Sequence, residues 1–82
     1  MKYQVELKPK AEKDFRAMQE YDREKVAERL QLLEENLAGD VKHLSNHSPE
    51  YRMRSGNYRA LFEVVGERII VYRILHRKDA YR

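Results

Sequence analysis

Hydrophobic and polar residues alternate over residues 3–7, where Tyr3, Val5 and Leu7 are set against Gln4 and Glu6. That is the period-2 pattern of a strand with one buried face. Pro9 ends it and suits the first turn of a following helix, where its missing N–H costs nothing. Ala11, Phe15 and Met18 then fall at i, i+4 and i+7, which predicts a first helix over about 9–20. Tyr21-Asp22 interrupts that pattern. Asp22 is a good N-cap, and Val26, Leu30, Leu33 and Leu37 mark the apolar stripe of a second helix that Gly39 stops. The two helices are expected to form a hairpin with most of the acidic residues on its outer faces.

Residues 40–50 read as a polar connector, long enough to cross the fold and too short for a second domain. Three strand patterns follow. Tyr51 to Arg54 turns through Ser55-Gly56-Asn57 into Tyr58 to Val65, which turns through Gly66 into Arg68 to Leu75. This is an antiparallel meander. The order β-α-α-β-β-β predicts one α+β domain over residues 1–82, with the helical hairpin covering one face of a small, mainly antiparallel twisted sheet and the other face partly open.

Charge changes this picture, because it is divided unevenly along the chain. Residues 1–40 carry eight Lys and Arg against ten Asp and Glu, whereas residues 41–82 carry nine against four, seven of the nine being arginine. An arginine-rich half suits phosphate, since guanidinium presents a planar fork of donors that matches phosphate oxygens and stacks on bases. The chain has no cysteine. That removes disulfides, thiolate metal sites and a cysteine nucleophile, and makes a reducing cytoplasm the simplest setting. The N-terminal apolar stretch is broken by charge and no other run could span a bilayer, so a soluble, unprocessed chain is expected.

Within the basic half, period 2 puts Arg52 and Arg54 on one sheet face and Tyr51 and Met53 on the other. Two guanidiniums so spaced can bracket consecutive phosphates, or can be ordinary solvated arginines paired with Glu50 or Glu63. A short hairpin brings Arg59 near Arg54, and like charges close together across a sheet favour a bound anion. Tyr58, Ala60, Phe62 and Val64 form the alternate, core-facing set. Arg73 takes an apolar position in the Ile69, Val71, Arg73, Leu75 alternation, as a snorkelling edge residue or an inward cation. His76 is the only histidine in this cluster and can serve as acid, base or structural group. Tyr81 offers a phenol and a stackable ring. His43 and His47 would need a helix to act as an i, i+4 metal pair, and Ser48-Pro49 argues against one, so neither metal nor cofactor is expected. No Gly-rich phosphate loop, carboxylate pair or serine-histidine-acid set is present.

The β-α-α-β-β-β order, the Tyr-Arg-Met-Arg and Asn-Tyr-Arg segments of residues 51–59 and the closing His-Arg-Lys-Asp-Ala-Tyr-Arg of residues 76–82 resemble the RelE/ParE superfamily of bacterial toxins. The ending and the basic strand pair look more like the RelE branch. The resemblance implies a toxin that cleaves messenger RNA in the ribosomal A site, is silenced by a RelB-type antitoxin, and touches neither membrane nor DNA. It implies that Arg52 and Arg54, where enteric relatives carry functional lysines, bind RNA, and Arg73, by its charge and its place in the basic half, is expected to join them. Arg59 and Arg77 would stabilise the transition state, Tyr81, matching a catalytic tyrosine, would stack on a base or assist proton transfer, and His76 would be an alternative acid for the leaving 5′-oxygen. Arginine for lysine removes a base, because guanidinium stays protonated. Tyr81 stands one residue from the end, so its position is expected to depend on antitoxin or ribosome. Two other readings are a ParE-like gyrase inhibitor with no chemistry of its own and a nontoxic RNA-binding module.

Overall fold

A computed structural model of the chain describes residues 2–80; Met1, Tyr81 and Arg82 lie outside the described residues. The elements are β1 (Gln4–Leu7), α1 (Pro9–Ala17), α2 (Glu20–Leu33), β2 (Val41–His43), β3 (Tyr51–Ser55), β4 (Tyr58–Val65) and β5 (Arg68–His76). The sheet order is β1-β5-β4-β3-β2, with β1 parallel to β5 and every other pair antiparallel. The α+β architecture is as expected, with one strand added. β2 lies in the stretch read as a connector, pairing Val41 with Met53 and His43 with Tyr51. Three residues at a sheet edge are too few to display an alternation, which is why the pattern hid it.

Pro9 occupies the first turn of α1, and the apolar set Ala11, Phe15 and Met18 packs inward as its spacing predicted. The helix ends three residues early. Met18 and Gln19 are extended, and α2 starts at Glu20, which leaves Asp22 inside its first turn instead of capping it. A carboxylate there still complements the helix dipole. The Arg23 guanidinium donates to the Met18 carbonyl oxygen at 3.0 Å, satisfying a polar group in the turn between the helices. At the far end α2 stops at Leu33, not at Gly39. Asn36 and Leu37 both take positive φ, and this reversal folds Leu37 back against the core.

The core lies between the helices and one sheet face. Val26, Leu30 and Leu33 meet Met53, Ala60, Phe62, Ile69, Val71 and Ile74, while Tyr58 and Val64 are partly buried beside them. The alternate face of β4 is therefore core, as its period implied. Full burial of a side chain such as Phe62 contributes roughly 1.5–3 kcal/mol. The outer edge of β1 is closed by the end of α2: the Tyr3 N–H donates to the Glu34 carbonyl at 2.9 Å and Lys2 bridges to Glu35.

Among the described residues, the second sheet face carries no helix. Leu61 and Ile70 are nonetheless buried on it. Their cross-strand neighbours are long: Arg52 and Arg73 flank Leu61, and Glu6 and Glu63 flank Ile70. Their aliphatic stems can cover apolar surface while the charged heads stay wet.

Candidate nucleic-acid interface

The hairpin between β3 and β4 organises the basic face. Its loop is Gly56-Asn57, with Ser55 paired to Tyr58, and Gly56 supplies the positive φ of 58° that a two-residue loop needs at its first position. That register sets Arg54 directly opposite Arg59 and leaves Arg52 and Arg54 on the uncovered face, with Met53 buried on the other. The Arg59 guanidinium lies along the turn, donating to the carbonyl oxygens of Gly56 at 2.8 Å and Tyr58 at 3.0 Å. Just past β5, the Arg77 N–H donates to the Asn57 carbonyl at 2.7 Å. One turn thus gathers Arg54, Arg59 and the exposed Arg77, with Arg52 two residues along the strand.

A carboxylate that the sequence pattern did not single out holds part of this cluster together. Asp40 Oδ1 accepts from Arg52 Nη1 at 3.1 Å, and Asp40 Oδ2 accepts from Arg54 Nε at 2.5 Å. The Arg54 hydrogen bond, followed by that of Arg52, keeps the Asp40 carboxyl below its ordinary pKa despite some burial. Asp40 is fixed by the backbone as well, since its carbonyl accepts the Arg54 N–H at 2.9 Å.

Arg73 is placed by an irregularity that the alternation could not reveal. The β4–β5 register shifts between Leu61 and Phe62, so that Leu61 pairs with Arg73 and Phe62 with Val71. Tyr72 and Arg73 together oppose Leu61, as in a β-bulge, and Ile74 instead of Arg73 continues the core side. Arg73 is engaged by Asp14 of α1, with Nε to Oδ2 at 2.8 Å and Nη2 to Oδ1 at 3.0 Å. The same carboxylate accepts the Ile74 N–H at 3.0 Å, where β1 no longer runs beside β5. Burial would raise the Asp14 pKa, but the hydrogen bonds from Arg73 and Ile74 and the Arg73 charge outweigh it and hold the carboxyl below its ordinary value.

His76 pairs with Tyr58 across β4 and β5 on the helix side of the sheet, its ring edge-on to Tyr58 at 5.6 Å between centroids. Its side chain therefore leaves the strand on the face opposite Arg54 and Arg59. Its Nδ1 accepts the Lys78 N–H at 3.3 Å, and buried Ala80 anchors the tail that leads to Tyr81. The position of Tyr81 lies outside the described residues. Tyr72, also unforeseen, donates its phenol to Glu63 on the uncovered face; this hydrogen bond raises the Tyr72 pKa. His43 sits in β2 and His47 in the following loop, sharing no helix face.

The family model for the ParE toxin of type II toxin-antitoxin systems, parDE, matches residues 5–81. The fold and sequence are also similar to a RelB-RelE antitoxin-toxin complex from Methanococcus jannaschii, at 30% identity and a TM-score of 0.75 over 92% of this chain and 93% of that one. The chain belongs to the RelE/ParE toxin superfamily. Two more distant structures share the RelE/ParE fold. They are the toxin-antitoxin complex RelBE2 from Mycobacterium tuberculosis (21% identity, TM-score 0.80, 94% of this chain and 100% of that one) and an archaeal RelE-RelB complex from Pyrococcus horikoshii (24%, 0.79, 98% and 100%). Toxin RelE3 of Methanocaldococcus jannaschii is 48% identical over 42 residues, which is 51% of this chain and 48% of that protein. This match spans about half the length of the curated relative.

Proposed function

We propose that this chain is the toxin of a type II toxin-antitoxin system and acts as a ribosome-dependent endoribonuclease on translated messenger RNA. The observation that carries the proposal is that Arg52, Arg54 and Arg59 share the sheet face opposite the helices, beside a hairpin turn to which the backbone of the exposed Arg77 is hydrogen-bonded. A cluster of guanidiniums that cannot lose their protons is suited to charge stabilisation and unsuited to acting as a base. In the reaction, the ribose 2′-hydroxyl attacks the adjacent phosphorus. The new O2′–P bond forms as the P–O5′ bond breaks, leaving a 2′,3′-cyclic phosphate and a 5′-hydroxyl. The 2′-hydroxyl restricts this chemistry to RNA.

Arg52 and Arg54 hold the phosphate backbone, and Arg59 and Arg77 stabilise the extra negative charge on the phosphorane, an effect of about 10²-fold to 10³-fold for one well-placed donor. Tyr81 and His76 are the proton-transfer candidates, one accepting the 2′-hydroxyl proton and one protonating the leaving 5′-oxygen; because His76 leaves the sheet on the helix side, its part requires the messenger to pass round the end of β5. The ribosome supplies the messenger in its A site. Arg73, committed to Asp14, contributes positive charge further along the same face.

A RelB-like antitoxin is the proposed partner, supported by the RelB-RelE complexes among the structural relatives. It would lay an acidic segment over the arginine face and fold as it binds. The proposed compartment is the cytoplasm; among the described residues no helix is long and apolar enough to cross a membrane. The match to a family model named for ParE favours a second reading, gyrase inhibition without nuclease activity. Inducible expression with primer extension on a translated message separates the two. Growth arrest with cuts inside translated codons, lost in Arg59→Ala and Arg77→Ala, supports the nuclease; arrest without cuts supports gyrase inhibition.

A further inference from the structure

The Asp40 carboxylate has the geometry of a ligand. Its two oxygens reach two different guanidiniums, at 3.1 Å and 2.5 Å, much as two oxygens of a phosphodiester would. Exposure decides whether such an anion can be replaced. The Arg52 side chain is 14% exposed, but Asp40 is 38% and Arg54 52%, so solvent and ligand reach the carboxylate and the outer guanidinium. The Asp40 main chain is tied to β3, so exchange requires only rotation of a short side chain. A neutralising anion is also favoured in the free protein, because Arg54 stands directly opposite Arg59.

We propose that Asp40 is a displaceable internal counter-anion, which holds Arg52 and Arg54 in their anion-binding arrangement in the free protein and yields its place to an RNA phosphodiester. This deepens the proposed function, since it rests on that face receiving RNA. Each incoming phosphate must displace a carboxylate already hydrogen-bonded to the arginines. The device therefore weakens casual binding to polyanions and leaves tight engagement to RNA that other contacts hold in place.

The test uses the purified full chain and a short fluorescein-labelled single-stranded RNA that is 2′-O-methylated throughout, so binding is read without cleavage. Fluorescence anisotropy compares the wild type with Asp40→Asn, Asp40→Ser and Glu24→Gln. The last removes one exposed negative charge from α2, away from the arginine face. Each Asp40 variant should bind roughly three- to tenfold more tightly than wild type, the scale of one partly exposed charged hydrogen-bond contact. Glu24→Gln should change the affinity by less than about twofold, since only long-range screened charge is removed. In an Arg52→Ala, Arg54→Ala background, Asp40→Asn should add no more than Glu24→Gln does. Circular dichroism confirms that each variant is folded; two Asp40 replacements guard against loss of one.

Equal effects of Asp40→Asn and Glu24→Gln, weaker binding in both folded Asp40 variants, or no binding by them at low salt would overturn the proposal. Tighter binding to polyglutamate but not to RNA would overturn the RNA assignment and indicate an acidic protein segment as occupant. Arginine-dependent tightening without ribosomal cleavage would refute the nuclease alone. Cleavage without any Asp40 effect would refute the counter-anion alone.

Discussion

Replacing Asp14 by alanine tests how the basic strand β5 is held where β1 ends. The change removes two hydrogen bonds from Arg73 and the Asp14 acceptor of the Ile74 N–H. The Asp14 side chain is 17% exposed and that of Arg73 40%, so the ion pair is partly screened and is worth about 1 kcal/mol. An amide deprived of its acceptor in a partly buried site costs a further ~1–2 kcal/mol. The expected loss is therefore about 2–3 kcal/mol, and 2 kcal/mol would lower the melting temperature of a domain this size by roughly 8–16 °C. Asp14→Asn keeps an acceptor for Ile74 and should lose only about 1 kcal/mol. Urea unfolding followed by circular dichroism measures both. The folded-state pKa of Asp14 is depressed, so its contribution is fully present above the unfolded value of about 4 and fades as pH falls through the lower folded value. The gap between wild type and Asp14→Asn should accordingly hold steady from neutral pH down to about 5 and shrink below about 4. An Asp14→Ala variant within about 0.5 kcal/mol of wild type would refute the reasoning, as that is the range of an inert surface change.

Phe62→Ala, at a fully buried site under the helices, should cost about 3–5 kcal/mol in the same urea experiment and leave much of the population unfolded. Gly56→Ala meets no atom within 4 Å, so its cost is backbone strain at a φ of 58°, about 1 kcal/mol by the same unfolding measurement. Arg59→Ala should leave the melting temperature within a few degrees of wild type while cutting ribosome-dependent cleavage by about 10²-fold or more, measured as the rate of fragment appearance. The Tyr81→Phe, His76→Ala double variant should lose cleavage in that assay; normal cleavage would remove both as proton-transfer groups.

What the sequence made legible were features with a long enough period. The alternation of Tyr58, Ala60, Phe62 and Val64, the helix stripe of Val26, Leu30 and Leu33, and the common face of Arg52 and Arg54 all follow from side-chain direction along a regular element. What it hid were departures from regularity. A bulge at Tyr72 moves Arg73 off the alternation, positive φ at Asn36 and Leu37 ends α2 early, and a three-residue edge strand has no room to show a pattern. Asp14 and Asp40 were illegible for a different reason. Each lies in the acidic helical half, and each acquires its role only when the fold brings it to an arginine 59 or 12–14 residues away. Pairings of that kind are set by topology, and no local spacing announces them. The side of the sheet that His76 takes likewise depends on the bulge before it.

In the proposed reaction, the arginine cluster around the β3–β4 turn performs cleavage of messenger RNA on the ribosome. The most direct measurement incubates the purified chain with ribosomes programmed with a 5′-labelled message and an empty A site, and resolves the fragments on a sequencing gel. Cuts within the A-site codon that end in a 2′,3′-cyclic phosphate are expected, as is their loss in Arg59→Ala and Arg77→Ala. Intact message with the folded wild type, or cleavage unchanged by both substitutions, would contradict the proposal.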